Sequence, residues 1–259
     1  MDAVVIAAGT PKPEEALYSY TQGKPKALLD LCGKSMIQWV LDALEGAETV
    51  DQVVIVGLPA DCGATSSKVT AFVKDHGSML ENVRAGVRKV LELAPQARQI
   101  LLVSSDIPTI KSEMVNWVVN TCQQTDLDLY YHLVTRQVME ARFPGSMRSY
   151  TRLKDVEVCG GDLNVIRAMT VTSNEALWEK IIASRKNALK QAALLGFDTF
   201  LLLLLRQITV ERAVKKVTKR MQITGRPLFC PYAEVGMDVD KPHQLELVTA
   251  DLCRQLKGE

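Results

Sequence analysis

The sequence predicts an α/β fold, a doubly wound and mostly parallel sheet with a helical insertion near the C-terminus. Three observations predict it. Short runs that are apolar at every position recur through the first half of the chain, as strands covered on both faces require. Stretches of helical periodicity separate them, giving the strand–helix–strand order of βαβ units. Several apolar runs end on Gly, Ser or Asp, at the carboxyl tips where open sheets of this kind bind their ligands.

The elements follow in order. "AVVIAAG" (3–9) reads as a first strand running into a glycine loop, and "SMIQWVLDALEGA" (35–47) as a helix. That helix carries Met36, Ile37, Val40, Leu41 and Leu44 on one face, with Gly46 near its end. "VDQVVIVGLP" (50–59) is a second buried strand, stopped by Gly57 and Pro59, and a helix is expected over 79–93. "ILLVSSDIPTI" (100–110) begins as a strand and ends on Ser105, Asp106 and Pro108, the proline barring further ladder pairing. Residues 112–123 form another expected helix, and "DLDLYYHLV" (126–134) alternates as a strand does.

Beyond that point the pattern changes. "RFPGSMRSYTRLKD" (142–155) gathers Arg142, Arg148, Arg152 and Lys154 around a Pro-Gly turn, and reads either as a solvated hairpin or as a site for an anionic group. Residues 175–219 read as helical and carry five consecutive leucines, whose all-round apolarity demands cover from the core, from a second copy of the chain or from a lipid surface, with the core preferred because the run is short. "CPYAEVGMDVDKPHQLELVTADL" then supplies a short strand, Asp238 and Asp240, and a helix from Pro242. Trp39, Trp117 and Trp178 are expected in the core, and His76, His132 and His243 in loops or at the surface.

Composition sets the class. With 259 residues, 47% apolar, 24% charged and a net charge of +1, the chain has material for a sizeable core and no excess charge for nucleic acid or anionic membrane. Its longest apolar run, Phe200 to Leu205, is too short to span a bilayer, and Met1-Asp2 leads directly into a strand without a secretory signal pattern. Six scattered cysteines show no C-x-x-C pair, so neither a zinc site nor a disulfide framework is expected, in keeping with a cytoplasmic setting.

Three separated segments suit one chemistry. The "AAG" loop and the following "KPKALL" offer backbone amides and a lysine, Lys26, to phosphates. Asp106 and Asp240, on different segments, can together hold one Mg²⁺, which takes few protein ligands and leaves positions for phosphate oxygens. The plainer reading of Asp106 is a turn residue capping the next helix, and of Lys26 a solvated lysine at a helix entry.

The blocks "VVIAAG", "KPKALLDLCGKSMIQWVLDAL", "VDQVVIVG", "LLVSSDIP", "CGGDLNVIRA" and "DVDKPHQLEL" resemble, over most of the chain, the MobA-like NTP-transferase family of GT-A-type nucleotidyltransferases. The resemblance implies a single nucleotidyltransferase domain over 1–259, with a helical arm at about 175–220 inserted before the closing strand and helix. It implies Mg²⁺-dependent transfer of an NMP from an NTP to a small phosphorylated acceptor, with release of pyrophosphate. Lys26, Asp106 and Asp240 would be catalytic, the two aspartates as metal ligands. Ala8, Gly9, Lys26, Gly77, Ser78 and Asn82 would bind the nucleotide, and Gly161, Asp162, Asn164, Arg148 and Arg152 the acceptor. A homodimer through the arm would cover its leucines.

One departure stands out. The family pattern A-A-G-x-G-x-R is replaced here by Gly9-Thr10-Pro11-Lys12-Pro13, and proline has no amide hydrogen to donate to a phosphate. Lys12 and Lys24 are the cations available to make up the lost charge. The rival readings are a GT-A glycosyltransferase, for which "SSD" lacks the first aspartate of a D-x-D, and a nucleotide-binding regulator without catalysis.

Overall fold

The computed structural model describes residues 1–173, 199, 201–202 and 205–258. The chain opens with β1 (Asp2–Ile6). A long excursion follows, holding the one-turn helix α1 (Tyr18–Thr21), a 3-10 turn at Lys26–Leu28 and a hairpin of β2 (Asp30–Leu31) and β3 (Lys34–Ser35). Next come α2 (Met36–Glu45), β4 (Val53–Val56), β5 (Val69–Val73), α3 (Met79–Leu93) and β6 (Gln99–Ser104). The second half comprises α4 (Ser112–Gln123), β7 (Leu129–Thr135), α5 (Arg136–Arg142), β8 (Thr151–Arg152), β9 (Glu157–Gly160), β10 (Leu163–Arg167) and α6 (Ala168–Ser173). It closes with α7 (Val210–Met221), β11 (Gly225–Phe229), a 3-10 turn at Ala233–Gly236 and α8 (Pro242–Lys257).

Nine strands form one mixed sheet in the order β5-β4-β1-β6-β10-β7-β9-β8, with β11 paired to β7. The first four are mutually parallel, so their carboxyl tips emerge on one edge. β10 runs antiparallel to β6 and to β7. The all-apolar strands are explained by cover on both faces: Ala3 and Val5 of β1 pack with α2, α4 and α8, while Val4 packs with α3 and α6. Each fully buried valine or leucine contributes roughly 1.5–3 kcal/mol, which ties the tips of β1 and β6 to a rigid floor.

The expected helices at 35–47, 79–93 and 112–123 correspond to α2, α3 and α4, and the run at 100–104 to β6. Several expectations need correction. The closing strand lies at Gly225–Phe229, ahead of the expected segment, and the chain reaches Asp240 through a 3-10 turn and irregular extended backbone. β5 was not expected, because VTAFV is a half-exposed edge strand without a continuous apolar run. His132 is fully buried on β7, where Trp117 meets its ring edge-on. Cys32 and Cys253, with Cα atoms 5.6 Å apart, form a disulfide that joins the β2–β3 turn to α8. A separation of 221 residues hides such a pair from any reading of cysteine spacing. Of the expected arm, 174–198, Phe200 and 203–204, with Trp178 and two of the five leucines, lie outside the described residues; Leu201 and Leu205 are exposed rather than covered as expected, and the part at Val210–Met221 is helical. No helix among the described residues is long and apolar enough to cross a membrane.

Candidate active site

The tip of β1 delivers Ala8 and Gly9. Gly57, at the end of β4, allows this: its φ is +105° and a Cβ there would stand 2.4 Å from the Ala8 Cα, so only glycine lets the two tips close together. The loop 10–25 then returns to the same point, where the Lys26 amide donates to the Gly9 carbonyl at 2.7 Å. Pro11 and Leu17 are buried beneath the loop, whereas Lys12 and Lys24 are exposed.

The return places Lys26 between the two aspartates. Its Nζ donates to Asp106 Oδ2 at 2.7 Å and to Asp240 Oδ1 at 2.6 Å. Asp106 stands just past β6, where the Ser104 hydroxyl donates to its Oδ1 at 2.5 Å. Asp240 is brought in because the Val239 amide donates to the Asp106 carbonyl at 3.0 Å and the buried Gln244 side chain accepts from the amides of Asp240 and Lys241, each at 3.0 Å. Burial works against the Lys26 charge, but Asp106 and then Asp240 outweigh it and hold its pKa above the ordinary lysine value. Ser104 and Gln244 were not singled out from sequence. Pro242 at the first turn and Gln244 three residues after Lys241 are the helix-start signal that locates Gln244.

Beside the lysine, a cleft of about 260 Å³ is lined by Ala8, Gly9, Lys26, Gly77, Ser78, Asn82 and Asp106. All six expected nucleotide residues therefore meet at one place. Ser78 caps α3, accepting from the Glu81 amide at 3.2 Å. Asn82 is buried and holds the loop above it, accepting from the His76 amide at 2.7 Å and donating to Asp75 at 2.9 Å. Its side chain is thereby committed to shaping the cleft. A wider groove of about 1150 Å³ continues past Thr10, Pro11 and Leu17 to Asp240 and Lys241.

On the other side, β9 and β10 are interrupted at Gly161–Asp162. The kink is held by the Gly161 amide donating to the His132 carbonyl at 2.8 Å and by Asn164, which accepts from the His132 amide at 2.8 Å and donates to the Gly161 carbonyl at 2.7 Å. A Cβ on Gly161 would meet Val235 at 3.0 Å. Asp162 lies opposite Ser104, whose amide donates to its carbonyl at 2.9 Å. Burial, then the nearby Asp106 charge, pushes its carboxyl up to about 7 against the opposing pull of Arg148. Arg148 itself pairs with Asp238. Of the five residues expected at the acceptor, Asp162 lies near enough to feel the charges of Asp106, Asp240 and Lys26, Arg148 is committed to Asp238, and Gly161 and Asn164 build the kink. Arg152 pairs with Glu157 at 2.7 Å and lines, with Arg136, Arg148 and Tyr150, a separate cavity of about 410 Å³.

The fit to a divalent cation is tested by the ammonium. Two carboxylate oxygens from distant parts of the chain converge on one positive atom, the donor set that Mg²⁺ takes when phosphate oxygens and waters complete its shell. Among the described residues no group of three or more His, Cys, Asp or Glu has the spacing of a metal cage.

The family model of the MobA-like NTP transferase domain matches residues 3–195. A solved structure described as a hypothetical transferase from Thermus thermophilus is 30% identical, with a TM-score of 0.80 over 94% of this chain and 98% of that one. A structure of CMP:2-keto-3-deoxy-manno-octonic acid synthetase complexed with CTP superposes with a TM-score of 0.60 over 98% of each chain, and at 18% identity the likeness is one of fold. The bifunctional protein GlmU of Thermoanaerobacter pseudethanolicus is 27% identical over 122 residues, 45% of this chain and 24% of that protein. The chain thus spans about a quarter of that curated relative.

Proposed function

The chain belongs to the MobA-like NTP transferase family, and from that premise we propose that it is a Mg²⁺-dependent nucleotidyltransferase. It moves an NMP from an NTP to a small phosphorylated acceptor and releases pyrophosphate. The observation that carries this reading is the convergence of Lys26, Asp106 and Asp240 at the mouth of the cleft lined by Gly9, Gly77 and Ser78.

The residues divide the work by position. The backbone around Ala8 and Gly9, together with the Gly77–Ser78 turn, holds the nucleotide on one side of the β1 and β6 tips. Lys26 supplies a mobile positive charge to the triphosphate, offsetting the charge that builds as pyrophosphate leaves. Asp106 and Asp240 would hold the Mg²⁺, which would supply positive charge to the phosphates. In this reading Asp162, at the start of the antiparallel half of the sheet, and Arg148, in the loop ahead of β8, meet the acceptor. An acceptor phosphate oxygen attacks the α-phosphorus directly, so the chain provides placement and charge and needs no nucleophile of its own. Residues 1–259 act in this reading as one domain, with 175–220 as its insertion.

The test is pyrophosphate release by the full chain with Mg²⁺, each nucleoside triphosphate and a panel of phosphorylated acceptors. Release that needs both substrates and ceases with EDTA supports the reading. Pyrophosphate that never appears, alongside turnover of a nucleotide sugar, would transfer the site to the glycosyltransferase class.

A further inference from the structure

The Lys26 ammonium stands at the point toward which both acidic side chains are aimed. Its contacts at 2.7 and 2.6 Å use the same carboxylate groups that the proposed function assigns to the metal. A Mg²⁺ ion needs such oxygens at about 2.0–2.1 Å, so ammonium and metal cannot occupy that point together. Resting on the nucleotidyltransferase reading, we propose that Lys26 is a cation gate: it excludes free divalent metal from Asp106 and Asp240 and yields the position only when a triphosphate draws the ammonium away.

Three observations support the exchange. The Lys26 backbone is anchored, its amide bonded to the Gly9 carbonyl, so the ammonium moves by rotation of its own flexible stem while the loop stays in place. That stem runs beside the loop, with Cε 4.0 Å from the position a Gly9 Cβ would occupy, and so lies against the cleft into which the ammonium would turn. Finally, the two partners differ in access: the side chains of Lys26 and Asp106 are each 14% exposed, but that of Asp240 is 57% exposed, which leaves one carboxylate open to an ion entering from the wide groove. The consequence is an order of events. Metal alone meets a point already occupied by the Lys26 ammonium, which offsets one of the two carboxylate charges, whereas metal carried by a triphosphate brings with it the anion that takes up the displaced ammonium.

Mn²⁺ alone is the probe, its binding to the full chain followed by loss of the free-ion EPR signal. If the metal-competent arrangement is a minor state of the usual 0.1–10% population, freeing it raises apparent affinity by about ten- to a thousandfold. Lys26→Met is therefore expected to bind Mn²⁺ at least about tenfold tighter than wild type without nucleotide. Lys26→Arg stays as weak as wild type, and Asp106→Asn added to Lys26→Met removes the gain. Mn²⁺ binding by Lys26→Met no tighter than wild type would overturn the gate. Should that variant not fold, the wild type decides: its Lys26 ammonium resonance persists in Mg²⁺ alone and shifts on adding Mg²⁺ with a nonhydrolysable triphosphate, and an unmoved resonance in both overturns the proposal. Absence of pyrophosphate release with every triphosphate counts against the transferase reading alone, since the Mn²⁺ comparison does not depend on turnover.

Discussion

Acid should loosen this fold through His132. The imidazole is fully buried on β7, and burial, only partly offset by the Leu163 backbone and Asn164, pushes its pKa from 6.5 down to about 4. A proton therefore binds the unfolded chain first, and protonation favours unfolding. The stabilising contribution is complete above about pH 6.5 and is lost progressively as pH falls toward 4. At about pH 5 the unfolded imidazole is almost wholly charged and the folded one about one-tenth charged, which amounts to a loss of roughly 2 kcal/mol relative to pH 7.5. Urea unfolding of wild type and His132→Leu at both pH values isolates this from the carboxylates, which titrate in both proteins. Wild type should lose about 2 kcal/mol more than the variant on acidification. Equal losses would refute the argument and place the charged imidazole in contact with solvent or a counter-ion. Function is tied in because the His132 amide and carbonyl hold the Asp162 kink.

Other outcomes follow from the same geometry. Asn164→Ala breaks both bonds that brace the kink and should cost about 1–3 kcal/mol, lowering kcat with little change in the NTP KM, as steady-state kinetics and denaturation together would show. Lys26→Ala should reduce kcat/KM by about a hundredfold or more, while Lys12→Ala, whose side chain is exposed, changes it little; the reverse order would move phosphate binding to the proline loop. Cys253→Ser opens a link across 221 residues and should remove about 2–4 kcal/mol, read as a lower Tm in nonreducing buffer that matches reduced wild type.

What could be read from sequence was what local chemistry determines. The continuous apolar run of β6 and the periodicity of α3 reflect burial on two faces and on one, and both elements lie where those patterns place them. Gly9 was suggested by the glycine loop at a strand tip, whereas Gly77, Ser78 and Asn82 came only from the resemblance of their block to the family; the structure lines one cleft with all of them. The missing information was of longer range. Arg152 carries a charge suited to an anion, but its partner Glu157 is set by the β8–β9 pairing, which no local pattern specifies. Asn164 reads as a polar residue available to a ligand, yet its amide is consumed by the backbone on either side of the kink. His132 has the same origin, since a polar residue in an alternating strand does not say which neighbour will cover it. The Lys26 contact with two aspartates 80 and 214 residues away arises only when the loop, β6 and the approach to α8 are assembled.

The transfer itself is the most direct measurement. The protein with Mg²⁺, an acceptor found in the pyrophosphate screen and its NTP, labelled at the α-phosphorus, should move the label quantitatively into the acceptor as NMP and leave the γ-phosphorus in pyrophosphate. Asp106→Asn and Asp240→Asn, each folded by circular dichroism, should each slow this transfer by at least about a hundredfold. Label that stays in free nucleotide with wild-type protein, or transfer that survives in either variant, would contradict the account.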